Sequence, residues 1–325
     1  MSLAGKTLFV SGASRGIGLA SALRAARDGA NVVVAAKTTE PHPKLPGTIF
    51  TAAAEIEEAG GRALAIACDV RSDDQIAQAV AAGVARFGGI DIVVNNASAI
   101  RLGGLAQVDT KSFDLMTAIG PRATYLVTRA ALPHLEASAK AGRSPHILTL
   151  SPPIALQSKW LAGAPAYTFK KYGMTLLTLA FAAEFRATGI AANALWLRTT
   201  IATAALNLLG GEATVRASRK ADIVADAAYA ILNRDPRTCT GNTFIDEGQI
   251  GRFFQVSPAG EIVWEYVNPY PRRGKDAETG APTVNYNVYR AQPVPYEWAP
   301  DGTPHSEIAV VPPDNAAFHV PTKEK

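Results

Sequence analysis

Short β-branched runs alternate with alanine-rich stretches of helical periodicity over the first 250 residues of the chain. This alternation is typical of repeated βα units, in which a helix returns the chain to the same end of a parallel sheet. The pattern therefore predicts an α/β fold built on a doubly wound parallel sheet of about seven strands. We expect the strands at 6–11, 31–36, 63–67, 90–94, 146–150, 190–196 and 242–246.

Two local signals predict where helices begin and end. Ser72 is followed three residues later by Gln75, which is the pattern of a capping box at a helix start. Gly60 and Gly61 follow another helical stretch, where the chain needs a residue in the left-handed conformation.

Beyond Gly248 the character of the chain changes. Residues 251–325 hold 11 of the 21 prolines and show no helical period. We therefore divide the chain into a domain at 1–250 and a C-terminal extension at 251–325. The runs RFFQV and IVWEY, on either side of residues 257–260, predict a β-hairpin. The proline- and aromatic-rich remainder predicts an extended arm docked on the body or on another subunit.

Composition excludes several classes of function. The net charge is +4, but lysines and arginines are scattered among acids, so we expect no nucleic-acid partner. Cys68 and Cys239 lack the spacing of metal ligands, so we expect no metal site and a reducing, cytoplasmic compartment. No apolar run reaches the length of a membrane span and no export signal opens the chain, so we expect no membrane partner.

A glycine-rich loop, SGASRGIG, joins the first strand to the first helix. Glycines let the backbone turn tightly and approach a pyrophosphate, whose charge the N–H groups at the helix start can meet. The position of the loop predicts a dinucleotide site of the Rossmann type. Its residues are Gly12, Ser14, Arg15, Gly16, Ile17 and Gly18.

The second strand ends in Lys37, where an enzyme that uses NAD usually places an acid against the ribose hydroxyls. A cation there favours a 2′-phosphate, and Arg15 could supply a second positive charge. The cofactor expected on this basis is NADP(H). The alternative is that Lys37 only solubilises the proline-rich insert that follows it.

Tyr167 precedes Lys171 by four residues in the stretch AYTFKKYGM. On a helix the two side chains would project from one face, about one turn apart. The spacing alone fits either a phenol prepared for proton transfer or an ordinary pair on an amphipathic helix.

Taken together, these motifs resemble those of the short-chain dehydrogenase/reductases. The resemblance rests on the glycine spacing, on Cys68-Asp69-Val70, on Asn95-Asn96-Ala97 and on Tyr167 with Lys171, and it covers residues 1–250. Within that family, EPHPKLPGTIFTAAAEIEEAGG, LSPPIAL and ALWLRTTIATAAL are similar to the hydroxysteroid dehydrogenase-like type 2 group.

The resemblance implies roles for further residues. Tyr167 would donate the proton, while Lys171 would bind the nicotinamide ribose and lower the pKa of the tyrosine. The other implied contacts are Asp69 and Val70 with the adenine, and Asn95 and Ala97 with the cofactor ribose. The stretches 110–138 and 163–188 occupy the regions that form a dimer contact in the family, which implies a homo-oligomer, either a dimer or a tetramer.

The chain also departs from the family pattern. Gly120 stands where the family has an asparagine that holds a water of the proton relay, and the Gly120-Pro121 pair predicts a kink that could admit extra water. The stretch after the fifth strand offers Ser151 and Ser158. Ser151 is our choice for the catalytic serine, and the alternative is that it only closes the strand. Leu197 replaces the family's proline. We expect Thr199, Ile201 and Thr203, which follow it, to meet the carboxamide.

Two functions follow from these observations. The first is an NADP(H)-dependent oxidoreductase that interconverts a carbonyl and an alcohol on an apolar small molecule. The second is a weakly catalytic or non-catalytic dinucleotide-binding protein whose C-terminal arm serves assembly or partner binding. Retention of Tyr167 and Lys171 favours the first, and the loss of the family asparagine favours the second.

Overall fold

A computed structural model describes residues 2–43 and 45–247, together with the backbone of four further strands between 252 and 285. The chain divides into two compact units, Met1–Ala291 and Gln292–Lys325, and the second unit lies outside the described residues.

Strands and helices alternate along the first unit as the sequence pattern predicts. The strands are β1 (Thr7–Ser11), β2 (Asn31–Ala36), β3 (Arg62–Ala67), β4 (Ile92–Asn95), β5 (His146–Leu150), β6 (Ala191–Leu197), β7 (Thr243–Glu247), β8 (Arg252–Val256), β9 (Ile262–Val267), β10 (Arg272–Lys275) and β11 (Pro282–Asn285). The helices are α1 (Gly16–Ala26), α2 (Ile49–Glu58), α3 (Asp73–Phe87), α4 (Thr110–Thr117), α5 (Ala123–Lys140), α6 (Ser158–Leu161), α7 (Pro165–Glu184), α8 (Ala204–Arg216) and α9 (Asp222–Leu232).

The main sheet has the strand order β3-β2-β1-β4-β5-β6-β7-β8-β9. Its first seven strands run parallel, and β8 and β9 continue it in antiparallel pairing. The strand order reverses between β1 and β4, so the loops that leave these two strands diverge and open a crevice at the carboxyl edge of the sheet. Ligands bind at this position in open α/β sheets, which is why the candidate site lies there.

Two apolar clusters cover the two faces of the sheet. Side chains of α1, α2 and α9, including Ala22, Ile56 and Val224, pack on one face. Side chains of α3, α5 and α7, including Ile76, Leu135 and Phe181, pack on the other. The fold is therefore a three-layer, doubly wound sheet, and the predicted fold class is confirmed. Each of the seven predicted strands begins and ends within two residues of the expected position.

The helix-end predictions are confirmed at Gly60 and in part at Ser72. Gly60 has a φ of 96°, as a left-handed residue after α2 requires. Ser72 caps α3 by accepting a hydrogen bond from the amide of Gln75. The Gln75 side chain does not complete a capping box, because its oxygen accepts from the amide of Asp69 instead, at 2.8 Å. This bond ties the start of α3 to the segment after β3.

The predicted hairpin corresponds to β8 and β9, which pair antiparallel on either side of residues 257–260. Strands β10 and β11 form a separate antiparallel pair. Residues 257–260, and the extended arm expected beyond residue 285, lie outside the described residues. The arm and the domain boundary at 250/251 therefore stay predictions.

The kink predicted at Gly120-Pro121 is present as a break between α4 and α5. Residues Ala118–Arg122 form a π-helical turn in which Gly120 adopts φ −84° and ψ −105°, outside the helical region. Pro121 removes one backbone donor from the helix, which is a recognised cause of such breaks. At this break, Gly173 of α7 packs against the Pro121 ring.

Candidate active site

The glycine-rich loop leaves β1 at the carboxyl edge and begins α1. Gly12 and Gly16 have φ angles of 69° and 62°, which favour glycine. A Cβ on Gly12 would lie 2.9 Å from the Ala97 Cα, and one on Gly18 would lie 2.7 Å from the carbonyl oxygen of Gly12. These close approaches leave a backbone cradle of the kind that accepts a pyrophosphate.

Asn96, which the sequence analysis did not assign a role, holds the cradle in place. Its side-chain amide donates to the carbonyl oxygens of Ser11 and Gly12, at 2.9 and 3.1 Å. The Ser11 hydroxyl accepts from the amides of Asn96 and Ala97. The adjacent Asn95 is buried and donates to the hydroxyl of Thr128 on α5. The segment after β4 and the loop after β1 are thus one hydrogen-bonded unit.

Lys37 and Arg15, the two residues predicted to bind a 2′-phosphate, have different environments. Lys37 is exposed at the end of β2, and its charge acts on Asp69. Hydrogen bonds from Arg71, with a smaller contribution from Lys37, lower the pKa of Asp69. The guanidinium of Arg15 instead donates to the carbonyl oxygens of Pro46 and Gly47. Arg15 therefore joins the proline-rich insert to the glycine-rich loop.

The remaining residues expected around the adenine and the loop are partly enclosed. Val70 is buried, and so is Ser14 of the glycine-rich loop. Ile17 packs against the apolar cluster on the α1 face. Gly47 of the insert approaches the loop so closely that a Cβ there would lie 2.7 Å from the carbonyl oxygen of Ser14. The insert is therefore a wall of this end of the crevice.

Helix α7 carries Tyr167 and Lys171 on one face, one turn apart, with Pro165 at its first position. The Lys171 amino group donates to the carbonyl oxygen of Leu150, the last residue of β5, at 2.6 Å. Thr175, a turn further on, donates to the carbonyl oxygen of Pro152 at 2.7 Å. These two bonds press the segment around Ser151 against α7.

The protonation equilibria of the pair are set by burial. Burial raises the pKa of Tyr167 to about 12 and lowers that of Lys171 to about 7. The structure therefore does not show the predicted lowering of the tyrosine pKa, because burial, which disfavours the phenolate, is what shifts it. Both shifts favour the uncharged forms of the two side chains.

Ser151, our choice for the catalytic serine, follows directly after β5. Its side chain is fully buried, and among the described residues its hydroxyl has no hydrogen-bond partner. A buried hydroxyl without a partner is costly, so an unused donor at this edge points to a ligand group. Thr199, after β6, also has a buried hydroxyl without a partner in the described part of the chain.

The segment after β6 reaches across to the glycine-rich loop. Ile201 is buried. Thr203 caps α8 by accepting from the amide of Leu206, and its methyl group lies 3.4 Å from the position of a Cβ on Gly16. The structure thus brings the residues after β6 next to the residues after β1, as two sides of one crevice.

Lys170 is a second buried lysine of α7, which the sequence analysis missed. Its amino group donates to the Ser98 hydroxyl at 2.6 Å and to the Ala99 carbonyl oxygen at 2.9 Å, and lies 5.2 Å from the centre of the Tyr167 ring. Its stem fills the space beside Gly120, where the sequence predicts room for water. Only the packing of α7 against the break between α4 and α5 reveals this contact.

Residues present at the crevice fit a nicotinamide dinucleotide. The cradle between Gly12 and Gly18 suits a pyrophosphate, and the unused hydroxyls of Ser151 and Thr199 suit the polar groups of a ligand. Among the described residues, no group of three or more His, Cys, Asp or Glu side chains comes together as metal ligands would. In the same part of the chain, every helix is too short or too polar to cross a bilayer.

The family model described as short chain dehydrogenase matches residues 6–207. The chain belongs to the short-chain dehydrogenase family. A relative from Danio rerio named hydroxysteroid dehydrogenase-like protein 2 is 56% identical over 245 residues, which are 75% of this chain and 58% of that protein. A relative of the same name from Rattus norvegicus is covered over only 46% of its length. The chain thus spans about half the length of the curated relatives it matches.

Solved structures of short-chain dehydrogenases agree with this assignment. A short chain dehydrogenase from Mycobacterium thermoresistibile is 58% identical, with a TM-score of 0.70 over 76% of this chain and 86% of its own. An NADH-dependent reductase crystallised in complex with NAD is 25% identical, with a TM-score of 0.61 over 75% of this chain and 95% of its own. The matched range 6–207 includes the glycine-rich loop, Tyr167 and Lys171.

Proposed function

We propose that this protein is an NADP(H)-dependent oxidoreductase that interconverts a carbonyl and an alcohol on an apolar small molecule. The observation that carries the proposal is the bond from Lys171 to the carbonyl oxygen of Leu150, at 2.6 Å. It holds the helix that bears Tyr167 against the end of β5, beside the unused hydroxyl of Ser151. A proton donor, an amine that titrates near neutral pH and a second hydroxyl at one edge are groups that can serve carbonyl reduction.

When bound, the nicotinamide cofactor supplies or accepts the hydride. In reduction, the Tyr167 hydroxyl donates its proton to the carbonyl oxygen as the carbonyl carbon gains the hydride, and in oxidation the phenolate takes the proton back. The Ser151 hydroxyl donates a hydrogen bond to the same oxygen. Lys171, whose pKa is about 7, can return a proton to Tyr167 at neutral pH.

The other expected cofactor contacts belong to the same proposal. Asp69 and Val70 flank the adenine. Asn95 and Ala97 border the ribose on the far side of the glycine-rich loop. The residues proposed to meet the carboxamide are Thr199, Ile201 and Thr203.

Lys37 supports the choice of NADP(H). It is exposed at the end of β2, beside a carboxylate that Arg71 already neutralises. Because Asp69 is occupied by Arg71, the Lys37 charge is available for a 2′-phosphate. Arg15 is held by the insert, and it contributes through the local positive potential.

Apolar side chains around the mouth of the crevice support an apolar substrate. They are exposed on the segments that follow β4 and β5, which are neighbours at the carboxyl edge. These side chains are Ile100, Leu102, Leu105, Leu156 and Trp160. Exposed apolar groups concentrated at a pocket mouth are typical of a site that binds an apolar ligand.

Exposed aromatic side chains on α4 and α7 support a homo-oligomer. Phe113 and Phe169 stack at 5.6 Å between ring centres, and both are exposed in the single chain. Tyr125 and Leu176, on α5 and α7, are exposed as well. A second copy of the chain would cover this face. The cytoplasm remains our expected compartment, since Cys68 and Cys239 are free and buried.

The test is a panel of apolar aldehydes and ketones with purified protein and NADPH, followed by absorbance of the reduced cofactor. We expect turnover that requires both substrate and Tyr167. Tight NADPH binding, measured by fluorescence, with no turnover across the panel would contradict the proposal. That outcome would favour the second function, a dinucleotide-binding protein whose C-terminal arm serves assembly.

A further inference from the structure

Lys170 is buried at the candidate site but has no part in the chemistry proposed above. Its side chain is fully enclosed, with 0% of its surface exposed. A Cβ on Gly120 would lie 3.0 Å from its Cε and 3.2 Å from its Cδ. A side chain at position 120 would therefore collide with the lysine stem, and the glycine provides the channel through which the stem passes.

The amino group at the end of this channel joins two parts of the site. It donates to the Ser98 hydroxyl and to the Ala99 carbonyl oxygen, both in the segment that follows β4. The Cα of Ala97, one residue earlier, lies 2.9 Å from the position of a Cβ on Gly12 in the cofactor cradle. Lys170 thus connects the helix of Tyr167 to the segment that packs on the glycine-rich loop.

Packing alone does not explain a lysine at this position. Burial, with a smaller repulsion from Lys171, lowers the pKa of Lys170 well below its ordinary value. No carboxylate pairs with Lys170 among the described residues. A methionine would fill the same channel without this cost. The residue is instead suited to supplying N–H donors, which an amine keeps in both protonation states.

We propose that Lys170 is a positioning residue, whose hydrogen bonds to Ser98 and Ala99 fix the distance between Tyr167 and the cofactor cradle. Tyr167 lies one turn earlier on the same helix, so movement of α7 against the segment after β4 would displace the phenol from the reacting oxygen. The proposal rests on the function proposed above. It concerns geometry, so it predicts an effect on turnover larger than the effect on substrate binding.

The first experiment replaces Lys170 by methionine, which keeps the length of the stem and removes the donors. We expect Lys170→Met to lower kcat about tenfold or more, with the KM for the carbonyl substrate changed by less than about threefold. Lys140→Met is the matched control, because Lys140 is exposed at the far end of α5. This control should keep the kcat of the unaltered protein.

A second experiment needs no turnover. Hydrogen exchange of the backbone amides at residues 97–102, with and without NADPH, reports the order of the segment that Lys170 holds. We expect exchange there to become at least about fivefold faster in Lys170→Met and to stay unchanged in Lys140→Met and Tyr167→Phe. If the unaltered protein reduces no carbonyl, the proposed function fails, but this exchange comparison still decides the role of Lys170.

Chemical rescue separates the effect of losing the N–H donors of Lys170 from the effect of losing its side-chain volume. In Lys170→Ala, n-propylamine can occupy the vacated channel and restore N–H donors, whereas tert-butylamine is too wide to enter it. We expect n-propylamine alone to recover part of kcat and of the exchange protection. Lys170→Gln, which keeps N–H donors, should retain more of both than Lys170→Ala even where Lys170→Met does not fold. A folded Lys170→Met protein with unaltered kcat and exchange, or a Gln variant no better than Ala, would overturn the proposal.

Discussion

The amino group of Lys171 lies 2.6 Å from the carbonyl oxygen of Leu150 and is enclosed between α7 and β5. This contact buries an amine in a place where its charged form is poorly solvated, and the pKa of Lys171 falls to about 7. The same contact orients α7, so the residue that organises the candidate site also carries a cost in folding free energy.

That cost predicts a pH dependence of stability. In the unfolded chain Lys171 has its ordinary pKa near 10.5, so between pH 7 and about 10.5 the unfolded state holds a proton that the folded state has lost. The contribution of Lys171 to the free energy of unfolding therefore rises with pH across this window and is least favourable below pH 7. We expect Lys171→Met to be more stable than the unaltered protein at pH 7. Its stability should also rise less steeply toward pH 9, as measured by urea unfolding without cofactor.

Lys170 also makes the free energy of unfolding rise with pH, because its pKa is lowered too. Lys171→Met should therefore reduce the rise of the free energy of unfolding with pH without abolishing it. The same measurement on Lys170→Met gives the contribution of Lys170. Equal slopes for the unaltered protein and Lys171→Met would show that Lys171 keeps its proton in the folded state.

Tyr167→Phe should lower turnover by about 10² or more while leaving the NADPH dissociation constant within about twofold. The phenylalanine keeps the ring that packs beside Lys170 and removes the only proton that the position can transfer. Tyr125→Phe, which alters an exposed tyrosine of α5, is the matched control. Unaltered turnover in the Tyr167 variant would mean that another group supplies the proton.

Cofactor choice should depend on Lys37. We expect NADPH to bind at least about tenfold more tightly than NADH, a difference of about 1.4 kcal/mol. Lys37→Ala should weaken NADPH binding and leave NADH binding nearly unchanged. Fluorescence titration of both cofactors measures this, with Lys140→Ala as the control for a lost surface charge. A preference for NADPH that survives Lys37→Ala would move the discrimination to Arg15 or Arg71.

Gly120→Asn should destabilise the protein by roughly 1–3 kcal/mol, as overpacking of a filled site does. The reason is the contact with the Lys170 stem, which a Cβ at position 120 would enter. The asparagine that the family carries there is therefore not expected to improve turnover by itself. In a Lys170→Ala background the same substitution should cost less, and thermal unfolding of the four proteins of this double-mutant cycle measures the coupling. Additive effects of the two substitutions would contradict the contact.

The strands and the glycine-rich loop could be predicted because each is encoded by neighbouring residues. The run NVVVAA predicts β2 with its observed bounds. Gly12 and Gly16 predict a tight turn, and both have the positive φ angles that favour glycine. Contacts between distant segments could not be predicted in this way. Arg15 donates hydrogen bonds to the carbonyl oxygens of Pro46 and Gly47, which belong to a different loop. Asn96 likewise bonds to the loop after β1. Both contacts depend on how the loops pack in the folded protein.

The pKa values of Tyr167 and Lys171 could not be predicted from the sequence either. A tyrosine and a lysine one turn apart suggest that the cation lowers the pKa of the phenol. The pKa of Tyr167 is instead raised, because the phenol is partly buried in the folded protein. Burial depends on how the helices pack on the sheet, and the spacing of residues along one helix does not reveal it.

The channel beside Gly120 has a consequence for the history of this site. If glycine came first at position 120, a lysine could enter position 170 without a clash, because a Cβ on residue 120 would meet the lysine stem. The reverse order would have passed through an overpacked intermediate. Once both residues were present, return to a larger residue at 120 would have been blocked until the lysine was lost. Proteins that keep Lys170 should therefore keep Gly120, whereas loss of the lysine would leave position 120 free to change.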